Sequence, residues 1–124
     1  MKNDTNMLGL RTTIYRVSDL SKAKAWYTKA FNVKPYFDEP FYVGFNIKGY
    51  ELGLLPEEGP ITKGENVLSY WGVDDIHKEY KYLLSLGATK HEEPTNVGGE
   101  LVVASLKDPW KNIIGIIYNP DFKL

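Results

Sequence analysis

The residues able to do chemistry in this chain are few, and none stands at a spacing that completes a catalytic group. There is no cysteine, which removes thiol catalysis, thiolate metal sites and disulfides. Of the two histidines, His77 lies between Ile76 and Lys78 in a helical stretch and reads as a surface residue. His91 opens the run His91-Glu92-Glu93, whose residue types bind divalent metals. In an extended segment, however, neighbours point to opposite faces, so His91 and Glu92 do not converge and the run reads as a solvated edge. Asp38-Glu39 and Glu57-Glu58 read as solvated loop charges rather than an acid/base pair. No serine, histidine and acid stand in helpful positions for nucleophilic catalysis. Gly98-Gly99 is a flexible pair, and the chain has no glycine-rich phosphate cradle.

The elements that must carry these residues come in a repeated order. Leu10 to Val17 is rich in β-branched and aromatic residues and reads as a strand. Ser18 or Asp19 can cap a helix over about 19–31, where Leu20, Ala23, Trp26, Tyr27, Ala30 and Phe31 recur at helical spacing. Asn32 can end it in a left-handed conformation. Strands are expected at Val33–Phe37, Phe41–Ile47 and Tyr50–Leu55, with Lys48-Gly49 as a tight turn. Pro56 to Asn66 is dense in Pro, Gly and charge and reads as a linker. The order then repeats. A strand over Val67–Val73 leads to a helix capped by Asp74 or Asp75 and carrying Ile76, Tyr80, Leu83 and Leu84. Gly87 is its stop. A weak strand at Ala88–Glu92, a loop at Glu93–Gly99 and strands at Leu101–Leu106 and Asn112–Tyr118 complete the second pass, and Pro120–Leu124 reads as a tail.

Bulk properties bound the rest. A chain of 124 residues, 43% hydrophobic and 25% charged, is expected to form a single domain, 1–124, with an ordinary core. The net charge of −1, with no basic block, argues against nucleic acid as a partner. No apolar run approaches the ~20 residues that span a membrane. The polar start, Met1 to Asn6, does not read as a signal peptide, so the expected location is cytoplasmic.

Four strings carry a resemblance: Ile14-Tyr15-Arg16-Val17-Ser18-Asp19-Leu20 through Trp26-Tyr27, Gly72-Val73-Asp74-Asp75-Ile76, Leu86-Gly87-Ala88, and Lys107-Asp108-Pro109-Trp110-Lys111-Asn112. In order and spacing they resemble the vicinal oxygen chelate superfamily, which includes glyoxalase I, extradiol dioxygenases, and fosfomycin- and bleomycin-resistance proteins. The resemblance covers about residues 9–119. It implies an α+β fold of two βαβββ modules, 9–55 and 67–119, joined by the linker 56–66. Their mixed sheets would form a cup with helices outside, in a protein that is commonly a homodimer. Metal-dependent members take His, Glu or Gln ligands from the first and last strands of each module. Carried over, those positions fall on Thr12, Gly53, Leu68 and Gly115. Leucine and glycine offer no side-chain donor and a neutral threonine hydroxyl is a poor sole ligand, so no metal or other cofactor is expected.

Alternation then lists the cup face. If Thr12 faces inward, so do Ile14 and Arg16; Gly53 brings Glu51 and Leu55; Leu68 brings Tyr70; and Gly115 brings Ile113 and Ile117. The two inward glycines would leave room for an organic ligand. Arg16 either clamps a ligand carboxylate or phosphate or pairs with Glu51. Trp110, in a loop after Asp108-Pro109, either covers a flat ligand or packs at a dimer interface. The expected ligand-binding set is Thr12, Arg16, Glu51, Gly53, Leu68, Tyr70, Trp110 and Gly115, holding a small organic molecule. Two other readings stay open. One is a metal-dependent lyase, isomerase or dioxygenase of the same superfamily. The other is a structural or protein-interaction module whose cup is filled by its own side chains.

Overall fold

A computed structural model describes residues 4–122. The first three residues of the polar start and the last two of the expected tail therefore lie outside the described residues. The chain divides into two compact units, with the boundary between Pro56 and Glu57.

The first unit runs β1 (Thr12–Val17), α1 (Leu20–Phe31), β2 (Phe37–Glu39), β3 (Tyr42–Ile47) and β4 (Tyr50–Pro56). The sheet order is β1-β4-β3-β2, with β1 parallel to β4 and the other pairs antiparallel. Asp19 caps α1 by accepting the Lys22 N–H at 3.0 Å, and Asn32 ends it at φ 52. The β3–β4 hairpin turns through Lys48 and Gly49, both at positive φ, as a two-residue primed turn requires. The Asn46 side chain accepts the Gly49 N–H at 2.7 Å and fixes that turn. One sheet face is core. Tyr15, Val17, Val43, Phe45, Leu52 and Leu54 are buried with Ala23, Tyr27 and Ala30 of α1, and Tyr15 stacks on Tyr27 at 5.7 Å. Each large apolar side chain so buried contributes roughly 1.5–3 kcal/mol. The second strand is expected at Val33–Phe37 and found at Phe37–Glu39, because Pro35 cannot donate to a ladder and pairing with β3 begins at Phe37.

The second unit repeats the order: β5 (Tyr70–Gly72), α2 (Ile76–Ser85), β6 (Thr89–Gly98), β7 (Leu101–Lys107) and β8 (Ile113–Tyr118). Its sheet order, β5-β8-β7-β6, is the counterpart of the first. Asp75 caps α2 through the Lys78 N–H at 3.1 Å. Two expectations are corrected. The strand over Val67–Val73 shrinks to Tyr70–Gly72, since its ladder with β8 starts only at Tyr70 opposite Gly115. The loop expected over Glu93–Gly99 is instead strand as far as Gly98, the end of the ten-residue β6. Pro94 does not end it, because the ladder with β7 takes up the irregularities as three register shifts; the strand stops only at Gly98, and Gly99 lies in the turn to β7. Segment 57–66 has no regular structure and belongs with the second unit. Lys63 anchors it, pairing with Glu57 at 3.2 Å and donating to Asn112 at 3.0 Å. Among the described residues no helix is long and apolar enough to cross a membrane.

Candidate functional site

The face of the first sheet opposite its core is set by strand register. Thr12, Glu51 and Asn46 form one cross-strand row; Ile14, Gly53, Gly44 and Phe37 form the next. Arg16, Leu55, Tyr42 and Glu39 lie on the same face one step further along. Three hydroxyls converge on the Glu51 carboxylate. Thr12 Oγ1 donates to Oε1 at 2.7 Å, Tyr36 donates to Oε2, and Tyr42 reaches the same group. Burial pushes the Glu51 carboxyl up, but the hydrogen bonds from Tyr36, Thr12 and Tyr42 outweigh it and hold the group below the usual carboxylate value. The phenols move the other way. Burial, then the bond to Glu51, pushes Tyr42 up to about 12. The bond to Glu51 raises Tyr36 as well. Glu51 is thus an anion caged by neutral donors.

The glycines of this face have a different role from the one expected. A Cβ on Gly53 would lie 2.6 Å from Ile14 Cδ1 and closer still to the Tyr42 hydroxyl. On Gly44 it would lie 2.9 Å from both Glu51 Oε2 and the Tyr36 ring. On Gly115 it would meet the Ser69 carbonyl at 2.5 Å and the Tyr70 ring at 2.7 Å. The missing side chains make way for the chain's own rings rather than leaving a vacancy. This also tests the family metal. At Gly53 and Gly115 the place of a ligand side chain is filled by tyrosine, Leu68 has no donor atom, and the Thr12 hydroxyl is spent on Glu51. These residues do not fit a divalent ion, and among the described residues no three His, Asp or Glu gather elsewhere.

Of the expected site residues, the structure brings Thr12 together with Glu51, and Tyr70 together with Gly115. Arg16 is exposed on the Glu51 face but at its outer strand. Leu68 precedes the β5 ladder. Trp110 is half-buried in a tight loop, its N–H held at 2.8 Å by buried Asp108, which also accepts from the Asn112 backbone at 2.8 Å. Sequence reasoning missed Tyr36, Tyr42 and Gly44. The signal was present, since the Lys48-Gly49 turn pairs Asn46 with Glu51 and Gly44 with Gly53, and so puts Tyr42 on the Glu51 face. A surface groove of this unit, lined by Leu20, Lys24, Asp38 and Val43, lies on the helix side of the sheet and takes in none of the Glu51 partners.

The second unit holds an arrangement that the expectation for His91 overlooked. His91 is no solvated edge. Its Nδ1 is 2.7 Å from Ser105 Oγ and its Nε2 is 2.7 Å from Glu65 Oε1. The His91 hydrogen bond, then the charges of His91 and Lys107, holds Glu65 below the usual carboxylate value. With Glu65 ionised, Nε2 carries a proton, and in the neutral ring Nδ1 accepts from the Ser105 hydroxyl. A serine–histidine–acid chain suggests nucleophilic catalysis, but Ser105 is only 1% exposed. A substrate cannot reach it, so the chain serves to fasten segment 57–66 to the sheet.

The chain matches the family model of the Glyoxalase/Bleomycin resistance protein/Dioxygenase superfamily over residues 9–116. No curated protein matches it. Among solved structures it resembles a glyoxalase/bleomycin resistance protein/dioxygenase family enzyme from Burkholderia phytofirmans PsJN, with 20% identity and a TM-score of 0.75, covering 86% of this chain and 95% of that one. A glyoxalase-related enzyme from Fulvimarina pelagi aligns with 14% identity and a TM-score of 0.77, covering 95% and 93%. The fosfomycin resistance protein FosX from Listeria monocytogenes aligns with 16% identity and a TM-score of 0.73, covering 94% and 96%. At such identities the likeness is one of fold. With both βαβββ modules in place and the family model spanning nearly all of them, the chain belongs to the glyoxalase/bleomycin resistance/dioxygenase superfamily.

Proposed function

We propose that this member of the superfamily binds a small, partly aromatic or apolar organic molecule without a metal, on the open face of its first sheet. The observation that carries the reading is the caged Glu51 anion beside exposed rings. Tyr36 is 62% and Phe41 63% exposed, and Phe37 lies between them and Tyr42. An ionised acceptor next to solvent-facing aromatic surface offers both orientation and contact area to a flat ligand. The protein is further proposed to act as a cytoplasmic homodimer, as the superfamily resemblance implies; light scattering of the purified chain tests the dimer, with a monomer mass counting against it.

One observation favours a second reading, the interaction module with a filled face: tyrosine rings already occupy the space over Gly53 and Gly115. The metal-dependent lyase, isomerase or dioxygenase reading has no comparable support, since the ligand positions lack donors. A heteronuclear NMR screen of the 14.2 kDa chain against small acids, amines and neutral aromatics separates the first two. Saturable shifts clustered at Thr12, Tyr36, Tyr42 and Glu51 support the binding site. No shift at these residues from any compound contradicts it and favours the filled module.

A further inference from the structure

The groups already bound to Glu51 restrict which ligands can gain by binding there. A carboxylate offers about four lone-pair positions. The hydroxyls of Thr12, Tyr36 and Tyr42 take three of them. Two of these donors are built in. Thr12 belongs to β1, and Tyr42, half-buried in β3, sets its ring over Gly53 beside Ile14. Tyr36 differs: it precedes β2, and although its ring lies over Gly44 the residue is largely exposed and is no part of the buried core, so displacing it opens no core contact. One position stays open, so a ligand that makes two hydrogen bonds to Glu51 replaces the Tyr36 hydroxyl. A neutral O–H or N–H donor would exchange one hydrogen bond from a neutral group for another and gain little. A cationic N–H donor would gain, because it adds the attraction of an ion pair to the hydrogen bond.

The surroundings suit such a ligand. Phe37 lies 6.0 Å from both Phe41 and Tyr42, so the face beside Glu51 is a shelf of rings. Cations are attracted to aromatic faces. The other charges on this face are Glu39, paired across the ladder with Tyr42, and Arg16 on the far edge strand. The second module has no copy of the site, since register puts Leu68, Ile113 and Val103 where the first has Thr12, Glu51 and Tyr42.

We infer that the face selects an organic cation with N–H donors on an aromatic or apolar body, such as an arylamidinium or arylammonium, which displaces the Tyr36 hydroxyl from Glu51, one per chain. The inference rests on the small-molecule reading above and narrows it. Calorimetric titration of the full chain at pH 7 and low salt with benzamidine, its neutral isostere benzamide, and benzoate tests it. Benzamidine is expected to bind one per chain, about tenfold or more tighter than benzamide, from the ion pair with Glu51 and the attraction of its charge to the rings together. Glu51→Gln is expected to remove that advantage. Tyr36→Phe keeps the ring, deletes the competing hydroxyl at an exposed position, and is expected to tighten benzamidine several-fold.

Benzamide or benzoate binding as tightly as benzamidine would overturn the cation selectivity while leaving a small-molecule site. A Tyr36→Phe variant that weakens benzamidine would overturn the displacement. No binding by benzamidine overturns the inference, and no hit in the wider screen as well overturns the reading beneath it.

Discussion

Gly53→Ala tests the site's construction. The added methyl would sit 2.6 Å from Ile14 Cδ1, 2.7 Å from Tyr42 Cζ, and nearer still to the Tyr42 hydroxyl. These are far ends of side chains, so the backbone can stay and Tyr42 must rotate outward. The cost is an overpacked contact, with loss of the Tyr42 bond to Glu51, together about 1–3 kcal/mol. For a chain of this size that lowers the melting temperature by roughly 3–6 °C per kcal/mol. The informative readout is local. Tyr42 is raised to about 12 by its burial and by Glu51. In the variant it should fall back toward the ordinary tyrosine value of 10.0, as followed through ring-carbon resonances of labelled tyrosine. Gly115→Ala is the control: there the methyl meets the Ser69 backbone carbonyl at 2.5 Å, which cannot rotate aside, so it should destabilise more. A Gly53→Ala protein that melts with wild type and keeps Tyr42 near 12 would mean that the Tyr42 ring does not pack over Gly53.

The pH dependence of stability follows from the same cage. Glu51 titrates below 4.5 when folded, so its stabilisation is present above the unfolded value and is lost as pH falls through the folded one; Glu51→Gln should flatten that part of the acid limb in denaturant titrations. Tyr42 is raised when folded, so its contribution is full below pH 10.0 and lost as pH climbs toward about 12; Tyr42→Phe should remove that alkaline decline. His91→Ala frees Glu65 and should speed tryptic cleavage after Lys63, with unchanged cleavage counting against the fastening role. Asp108→Ala leaves the Trp110 and Asn112 backbone donors unpaired around a site only 3% exposed, and should cost about 2–4 kcal/mol in chemical denaturation.

The repeat, both helix caps and the β3–β4 turn were legible because each rests on local chemistry. Asp19 and Asp75 present short oxygen side chains before apolar periodicity, and Lys48-Gly49 separates two alternating runs. Strand parity put Thr12, Glu51 and Gly53 on one face of the sheet, and the register pairs Thr12 with Glu51 and Ile14 with Gly53 on the face opposite the core. Parity does not say what fills the space above a glycine. The rings over Gly53 and Gly115 come from Tyr42 and Tyr70, each on a strand neighbouring the glycine's own. The ends of β5 and β6 were misjudged for a similar reason. Their limits are set by partners, Gly115 opposite Tyr70 and the bulged ladder to β7, not by their own composition. His91 was read from its neighbours in sequence, whereas its partners Ser105 and Glu65 lie far from it in the chain.

Elemental analysis of the purified protein, with and without added divalent ions, shows whether a hydroxyl-caged Glu51 carboxylate stands here in place of the superfamily's metal. No stoichiometric metal is expected under either condition. One equivalent of tightly held Ni, Zn, Fe or Mn per chain, lost in Glu51→Gln, would contradict it and make Glu51 a ligand.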